Sequence, residues 1–98
     1  MIYSLTDKLE FAENPKIEIK DKVITVDASA ETAMTLLEIL DKEGEYEAAM
    51  KAVQYLFSKA DQKIIKDLKL STKDFITLIR TAMSLCLGED PDADEQSE

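Results

Sequence analysis

Apolar and polar residues alternate in the first third of the chain, which predicts β structure. Two runs, KIEI at 16–19 and VITV at 23–26, flank a short polar stretch. If Lys20 and Asp21 form a two-residue turn, the period of two in strands places four apolar side chains on one face: Ile17, Ile19, Ile24 and Val26. Asp21 tolerates the positive φ that such a turn requires, and a longer loop is the alternative.

A third alternating stretch, KLEF at 8–11, precedes the break at Asn14-Pro15 and predicts further extended structure. An isolated two-stranded hairpin is marginally stable in water. We therefore expect a third strand or a helix against its apolar face.

Helical periodicity follows from residue 29 onward, with apolar residues at intervals of three and four. Ser29 is a suitable N-cap, and Gly44 is expected to end the first helix. Ser71, with Asp74 three residues later, resembles a capping box that begins the last helix, and Gly88 is expected to close that helix. The fold class predicted is α+β, with an N-terminal β-hairpin or small meander followed by three to four packed α-helices.

Each predicted helix has an apolar stripe. The first comprises Ala33, Leu36, Leu37 and Leu40, with Met34 beside it. The second comprises Tyr46, Ala49, Met50, Val53, Leu56, Phe57 and Ala60. A short segment carries Ile64, Ile65 and Leu68, and the last helix presents Phe75, Leu78, Ile79, Ala82, Leu85 and Cys86.

Composition divides the 98 residues into a single domain at 1–88 and an acidic tail at 89–98. Six of the ten tail residues are acidic and they include no base, so we expect the tail to be disordered. The net charge is −9, which leaves −3 for residues 1–88, with 15 acids and 12 bases. No basic patch is visible, so a nucleic-acid partner is not expected.

Several features together predict a cytoplasmic protein. No apolar run is long enough to cross a membrane, so no membrane association is expected. The first residues lack the pattern of a signal peptide. A single cysteine, Cys86, cannot form an internal disulfide, which fits a reducing compartment.

The chain has few residues suited to catalysis. It contains no histidine, and Cys86 lies in an apolar stripe typical of a small buried hydrophobe rather than a thiolate nucleophile. The acids at 41–47 surround Gly44 but lack the ligand spacing of a calcium loop, and the alternating acids at 90–94 contain a proline. We therefore expect a protein without catalytic residues, metal or cofactor.

Surplus apolar residues on two helices predict a protein-binding surface. Met34, Met50 and Met83 suit either a core or an adaptable groove, and Tyr55, Ile65 and Ile76 widen the stripes beyond one face. Arg80, the only arginine, suits a surface charge or an interfacial ion pair. The candidate protein-binding residues are Tyr46, Met50, Val53, Phe57, Phe75, Ile76, Ile79 and Met83.

The order of these features resembles a phage family. The shared elements are a hairpin of the form I-E-I-x-x-K-x-[IY]-x-V, a helix with x-A-x-x-L-L-E-I-L, and an acidic end after L-x-C/L-G. In this chain they are Ile17-Glu18-Ile19, Lys22, Ile24, Val26, the segment 33–40 and the segment 85–89. In this pattern the chain resembles the small tail assembly chaperones of long-tailed phages and prophages. The resemblance spans nearly the whole chain. The family's usual Asn-Gly hairpin turn is replaced here by Lys20-Asp21.

This resemblance implies a binding protein of the bacterial host cytosol. The surplus apolar helix faces predict that the protein also associates with itself as a homo-oligomer. Such chaperones coat the tape measure protein and keep it soluble until tail tube subunits assemble around it. Two alternatives stay open: an acidic regulatory or antitoxin-like module that occupies a basic site on a partner protein, and a structural head–tail component of a phage.

Overall fold

An antiparallel β-hairpin and four helices form the body of the protein. The computed structural model describes residues 1–9 and 13–89. The elements are β1 (Lys16–Ile19), β2 (Lys22–Thr25), α1 (Ala30–Lys42), α2 (Glu45–Leu56), α3 (Lys59–Leu68) and α4 (Thr72–Cys86), preceded by a short 3-10 helix at Thr6–Lys8. The predicted α+β class is confirmed.

The hairpin has the two-residue turn that its alternation predicts. Ile17 pairs with Ile24, and Ile19 pairs with Lys22 across the turn. The positive φ falls on Lys20 (56°) rather than on Asp21. The apolar face is directed inward, because Ile24 is buried in the core.

Helices, rather than a third strand, cover the apolar face of the hairpin. Within the described residues the sheet has two strands. The N–H of Thr25 donates to Asp61 Oδ2 of α3 (3.0 Å), and the N–H of Asp27 donates to the Leu56 carbonyl at the end of α2 (2.8 Å). The expected extended stretch at 8–11 is wrong at Lys8, which lies in the 3-10 helix, and residues 10–12 lie outside the described ranges.

The start of α1 is fixed by a small hydrogen-bond network. Ser29 Oγ accepts from the Thr32 N–H (3.3 Å), which confirms Ser29 as the N-cap. Asp27 accepts from the Ser29 N–H and from the Thr32 hydroxyl, both at 3.0 Å. These bonds hold the pKa of Asp27 below its usual value, with the Ser29 N–H as the largest cause, while partial burial opposes the shift.

The buried face of α1 differs from the predicted stripe. Leu36 and Thr32 are buried, but Leu37 and Leu40 are exposed, and Met34 is 71% exposed. Thr32 bonds to Asp27 and Ser29, and Leu36, one turn further along the same face, is fully buried in the core.

One predicted helix boundary is right in position and another is wrong. α1 ends at Lys42 with Glu43 as its C-cap, so it stops just before Gly44 as predicted, and Gly44 also serves as the N-cap of α2. The second stripe was expected to continue to Ala60, yet α2 ends at Leu56. Ser58 stops it by starting α3, since its hydroxyl accepts from the Asp61 N–H (3.2 Å).

α2 lies at the centre of the helical layer and contacts the other three helices. Its inward face is built largely from alanine: Ala48, Ala49 and Ala52 are all buried. Small side chains let neighbouring helix backbones approach closely. The packing of α1 and α4 on α2 therefore depends on residues without long side chains.

α4 begins and ends as its sequence predicts. Ser71 Oγ accepts from the Asp74 N–H (3.1 Å) at the N-terminus. At the other end Gly88 adopts a positive φ of 77°, its N–H donates to the Leu85 carbonyl (3.2 Å), and the Glu89 N–H donates to the Ser84 carbonyl (2.7 Å). This pair of bonds is a Schellman closure. Residues 90–98 lie outside the described ranges, so the disordered tail stays a prediction.

Candidate protein-binding surface

An open cleft of about 530 Å³ lies between α2, the end of α3 and the start of α4. We call it the apolar cleft, because most of its lining is apolar: Tyr46, Met50, Val53, Ile65, Leu70, Phe75 and Ile76. Such a concave apolar surface with a few polar groups is the usual form of a binding site.

Helical spacing and one unusual turn place these side chains together. Tyr46, Met50 and Val53 follow i, i+4, i+7 spacing, so they share one face of α2. α3 ends at Leu68, and Lys69 adopts the left-handed conformation with φ of 52°. That turn reverses the chain and brings Leu70 to the cleft beside the first turn of α4.

The mouth of the apolar cleft is more exposed than its floor. Met50 is 63% exposed and Tyr46 is similarly accessible, whereas Ile65 is buried in the core. Val53 and Phe75 are part-buried between these levels. A ligand would therefore bury Tyr46 and Met50 without displacing core residues.

The polar part of the lining is positively charged. Lys66 and Lys69 line the cleft together with Gln62, whose side-chain N–H donates to the Phe57 carbonyl (2.9 Å). Five lysines lie between residues 59 and 73, although the whole chain carries a charge of −9. An acidic group on a ligand would be attracted to this side of the cleft.

A second, smaller cleft of about 280 Å³ adjoins the first and shares Ile76 with it. It is also lined by Leu40 and Met83, and the ion pair between Arg80 and Glu45 closes one side. From Thr72 to Met83, α4 contributes lining side chains over about 16 Å of helix, or three turns. The two clefts together form a path long enough for a short helical segment.

A third cleft lies between α1 and α2 and has different chemistry. Its volume is about 520 Å³. We call it the polar cleft, because its lining is mainly charged or polar: Thr35, Glu38, Ile39, Lys42, Glu43, Lys51, Gln54 and Tyr55. Lys51 pairs with Glu43, and Lys42 pairs with Glu38 at 2.9 Å.

Six of the eight candidate binding residues lie along the first two clefts without being fully buried. Five of them line the apolar cleft: Tyr46, Met50, Val53, Phe75 and Ile76. The sixth, Met83, lines the smaller cleft. The other two are core residues, since Phe57 is 4% exposed and Ile79 is 1% exposed. Phe57 leaves the face of α2 because the helix ends before it.

Sequence reasoning did not place Lys66, Lys69 or Leu70 at the site. Their approach depends on the left-handed turn at Lys69, and lysine carries no sequence signal for that conformation. The sequence predicts Ile65 as part of an apolar segment with Ile64 and Leu68 and as a residue that widens the stripes, but not as a cleft residue. The period of α3 directs it inward, where it forms part of the floor.

The remaining reactive side chains have structural roles. Cys86 is buried in α4, and burial, followed by the negative charge of Asp27, raises the pKa of its thiol. Such a thiol stays protonated near neutral pH and is a poor nucleophile. Arg80, expected as a surface charge or an ion-pair partner, links α4 to α2 through Glu45.

Across residues 1–9 and 13–89, no group of three or more acidic, cysteine or histidine side chains could hold a metal ion. In the same part of the chain, no helix has the length and apolar character needed to cross a membrane. Family models, curated proteins and solved structures were all compared with this chain, and none matches it. The fold and the cleft chemistry are thus the basis for a functional proposal.

Proposed function

We propose that this protein is a tail assembly chaperone of a phage or prophage, which binds the tape measure protein and keeps it soluble in the host cytosol. In this proposal it acts by binding and not by catalysis. The proposal rests on the resemblance in sequence pattern together with one structural observation, the apolar cleft between α2, α3 and α4.

The apolar cleft gathers exposed apolar side chains in a concave surface, whereas Met34 and Leu37 on α1 are exposed outside the clefts. Charged residues make up 34% of the chain, yet Tyr46 and Met50 expose large apolar side chains at the mouth of the cleft. An exposed apolar surface with a charged rim is typical of protein recognition sites. Methionine adds adaptability, because its unbranched side chain repacks around different partners.

An amphipathic helix is the ligand that we expect. α2 and α4 form walls of the two adjoining clefts, and a third helix would place residues at i, i+3, i+4 and i+7 between them. Lys66 and Lys69 would favour a helix with acidic residues flanking its apolar stripe. Long helical proteins with exposed apolar stripes, such as tape measure proteins, supply segments of this kind.

The test is co-expression with the tape measure protein from the same genome, followed by measurement of its soluble fraction and by co-purification. Two methionines give a matched pair of variants. Met50→Lys places a charge in the apolar cleft, whereas Met34→Lys places the same charge on an exposed face of α1 outside that cleft. We expect Met50→Lys to abolish co-purification and Met34→Lys to preserve it.

A tape measure protein that is equally soluble without its partner would contradict the chaperone function. Equal binding by both variants would show that the cleft is not the site. Capture of a folded basic protein instead, through the acidic surface, would favour the regulatory alternative.

A further inference from the structure

The first nine residues include the two most exposed large apolar side chains of the described chain, Met1 and Ile2. We call residues 1–9 the N-terminal arm. Its large apolar side chains are between 51% and 116% exposed: Met1, Ile2, Tyr3, Leu5 and Leu9. A segment this apolar gains free energy by leaving water, so its exposure indicates a missing contact.

Contacts within the arm order it locally without burying it. Lys8 Nζ contacts the Tyr3 hydroxyl and lies 4.9 Å from the ring centroid. The Lys8 N–H also donates to the Leu5 carbonyl (2.8 Å), which forms the single 3-10 turn. That turn has no buried residue. The arm therefore has local order but no burial against the described part of its own chain.

The apolar cleft has the complementary property, because its concave apolar lining is open to solvent. Both features belong to the same single chain, and neither covers the other. The arm shows its five large apolar side chains while Tyr46 and Met50 stay exposed. The simplest arrangement that buries both features uses two chains.

We propose that the N-terminal arm of one copy of this protein binds in the apolar cleft of a second copy, and that the exchange is reciprocal in a twofold dimer. In a reciprocal exchange each arm is buried in the cleft of the other copy. No arm or cleft is left unoccupied, as expected for a closed twofold dimer. This inference concerns the same cleft as the proposed function but does not depend on the identity of any client.

The area that this exchange would bury fits a stable dimer. A large apolar side chain removes roughly 60–120 Å² from water when buried, so five such side chains remove about 300–600 Å². The cleft loses a smaller area on its own side. Two reciprocal contacts therefore bury about 1,000–1,600 Å² in total, which overlaps the lower part of the range of about 1,200–2,000 Å² for standard stable interfaces. A single arm folded onto its own chain would bury only half as much.

Charge and shape select the apolar cleft over the exposed face of α1. Asp7, the acid of the arm, would lie near Lys66 and Lys69 at the rim, while Lys8 is already engaged with Tyr3. Met34 and Leu37 on the exposed face of α1 line none of the three clefts, so that face does not enclose a side chain of a partner. The polar cleft is lined by ion pairs, which bind apolar residues poorly.

A consequence is that arm exchange and client binding compete for the same residues. A dimer would hold its clefts closed until a client segment displaces the arm. Removing the arm should therefore strengthen client binding, even though it removes apolar surface from the protein.

The experiment is sedimentation velocity of the full chain over a wide concentration range, compared with three variants. Ile2→Asp combined with Leu5→Asp changes the arm without touching any buried residue. Met50→Lys changes the cleft, and Met34→Lys is the matched control. We expect the dimer dissociation constant to rise at least about 100-fold, equivalent to about 2.7 kcal/mol, for the arm variant and the cleft variant. It should stay within about threefold for the control.

Mixing the two disrupted variants provides an independent readout. The arm variant keeps an intact cleft, and the cleft variant keeps an intact arm. Together they should form a heterodimer through one arm–cleft contact, although each alone is monomeric. A full chain that stays monomeric at all concentrations overturns the proposal. So does a dimer that survives loss of the arm, or one that Met34→Lys disrupts equally. None of these results bears on solubilisation of the tape measure protein, so the two proposals fail separately.

Discussion

The two sides of α2 carry clefts of nearly equal volume and opposite chemistry. The apolar cleft measures about 530 Å³ and the polar cleft about 520 Å³. One step along the helix separates them, since Met50 lines the first and Lys51 lines the second. Size alone therefore does not identify a binding surface in this protein. The difference lies in whether the lining residues already have partners.

Side chains of the polar cleft satisfy one another. Lys51 pairs with Glu43 and Lys42 pairs with Glu38, so water and neighbouring charges solvate that surface well. The mouth of the apolar cleft has no such compensation, because Tyr46 and Met50 meet water directly. A partner gains free energy by covering the apolar cleft and gains little by covering the polar cleft.

The largest expected effect is a loss of unfolding free energy that distinguishes core residues from residues of the apolar cleft. Replacing Ile79 by Ala removes a fully buried side chain and should lower the free energy of unfolding by about 2–4 kcal/mol. Met50→Ala, at an exposed position on α2, should change it by less than about 0.5 kcal/mol. Urea titration followed by circular dichroism measures both. Similar losses for the two variants would mean that the cleft is part of the core.

A neutral, polarity-sensitive dye should distinguish the two clefts directly. In the arm variant (Ile2→Asp with Leu5→Asp), whose clefts are not covered by an arm, we expect such a dye to bind in the apolar cleft. Adding Met50→Lys should weaken that binding roughly tenfold, or about 1.4 kcal/mol, by placing a charge among the lining residues. Lys51→Ala, on the opposite side of α2, serves as the control and should leave the affinity unchanged. Fluorescence titration gives the dissociation constants. A dye whose affinity falls with Lys51→Ala instead would reverse the comparison.

A third test compares two kinds of charge by their effect on the unfolding free energy. Asp27 accepts hydrogen bonds at the start of α1, whereas the ion pairs of the polar cleft are exposed. Asp27→Asn should lower the unfolding free energy by about 1 kcal/mol at pH 7, because the bonds from Ser29 and Thr32 lose their charge assistance. The folded-state pKa lies below the ordinary 3.8. The charge of Asp27 therefore stabilises the fold above the ordinary pKa of 3.8, and this stabilisation is lost as the pH falls through the lower pKa of the folded state.

Unfolding free energies of both proteins at pH 7 and near pH 2.5 provide the measurement. The difference between them should shrink at the lower pH. A difference that does not depend on pH would assign the effect to hydrogen-bond geometry rather than to charge.

The smallest effect should come from the polar cleft itself. Lys51→Ala removes an exposed ion pair with Glu43 and should change the unfolding free energy by about 0.5 kcal/mol or less. The change should decrease further in high salt, because exposed charges are screened. Chemical denaturation at two salt concentrations tests this. A loss above about 1.5 kcal/mol would show that the polar cleft, not the apolar one, is the more strongly coupled to the fold.

Local signals predicted much of the fold. Alternation from Ile17 to Val26 indicated the hairpin and its turn, and Ser29, Ser71 and Gly88 marked helix ends through backbone hydrogen bonds that depend on few neighbours. The break at Phe57 was missed because its position continued the period of α2. The pair Ser58 and Asp61 nevertheless repeats the signal at Ser71 and Asp74.

Two features were harder to predict from the sequence: which face of α1 is buried, and which distant residues meet at the apolar cleft. α1 has apolar residues all around it between Ala33 and Leu40, so periodicity does not fix its orientation. The face that is buried carries Thr32, bonded to Asp27, and Leu36 in the core. For the apolar cleft, the α2 and α4 walls followed from helix period, but the contribution of the α3 end depends on Lys69 in a conformation that its residue type does not announce.

The alanines on the inward face of α2 have a consequence for how recognition could diverge. Ala48 and Ala52 are hidden inside the protein and line neither of the two large clefts, yet they set how far α1 and α4 stand from the helix that forms a wall of both. One added methyl group at either position would move a cleft wall, although no ligand touches the substituted residue itself. Affinity could thus drift through mutations that are invisible from outside, and a survey restricted to accessible side chains would overlook the positions that tune it.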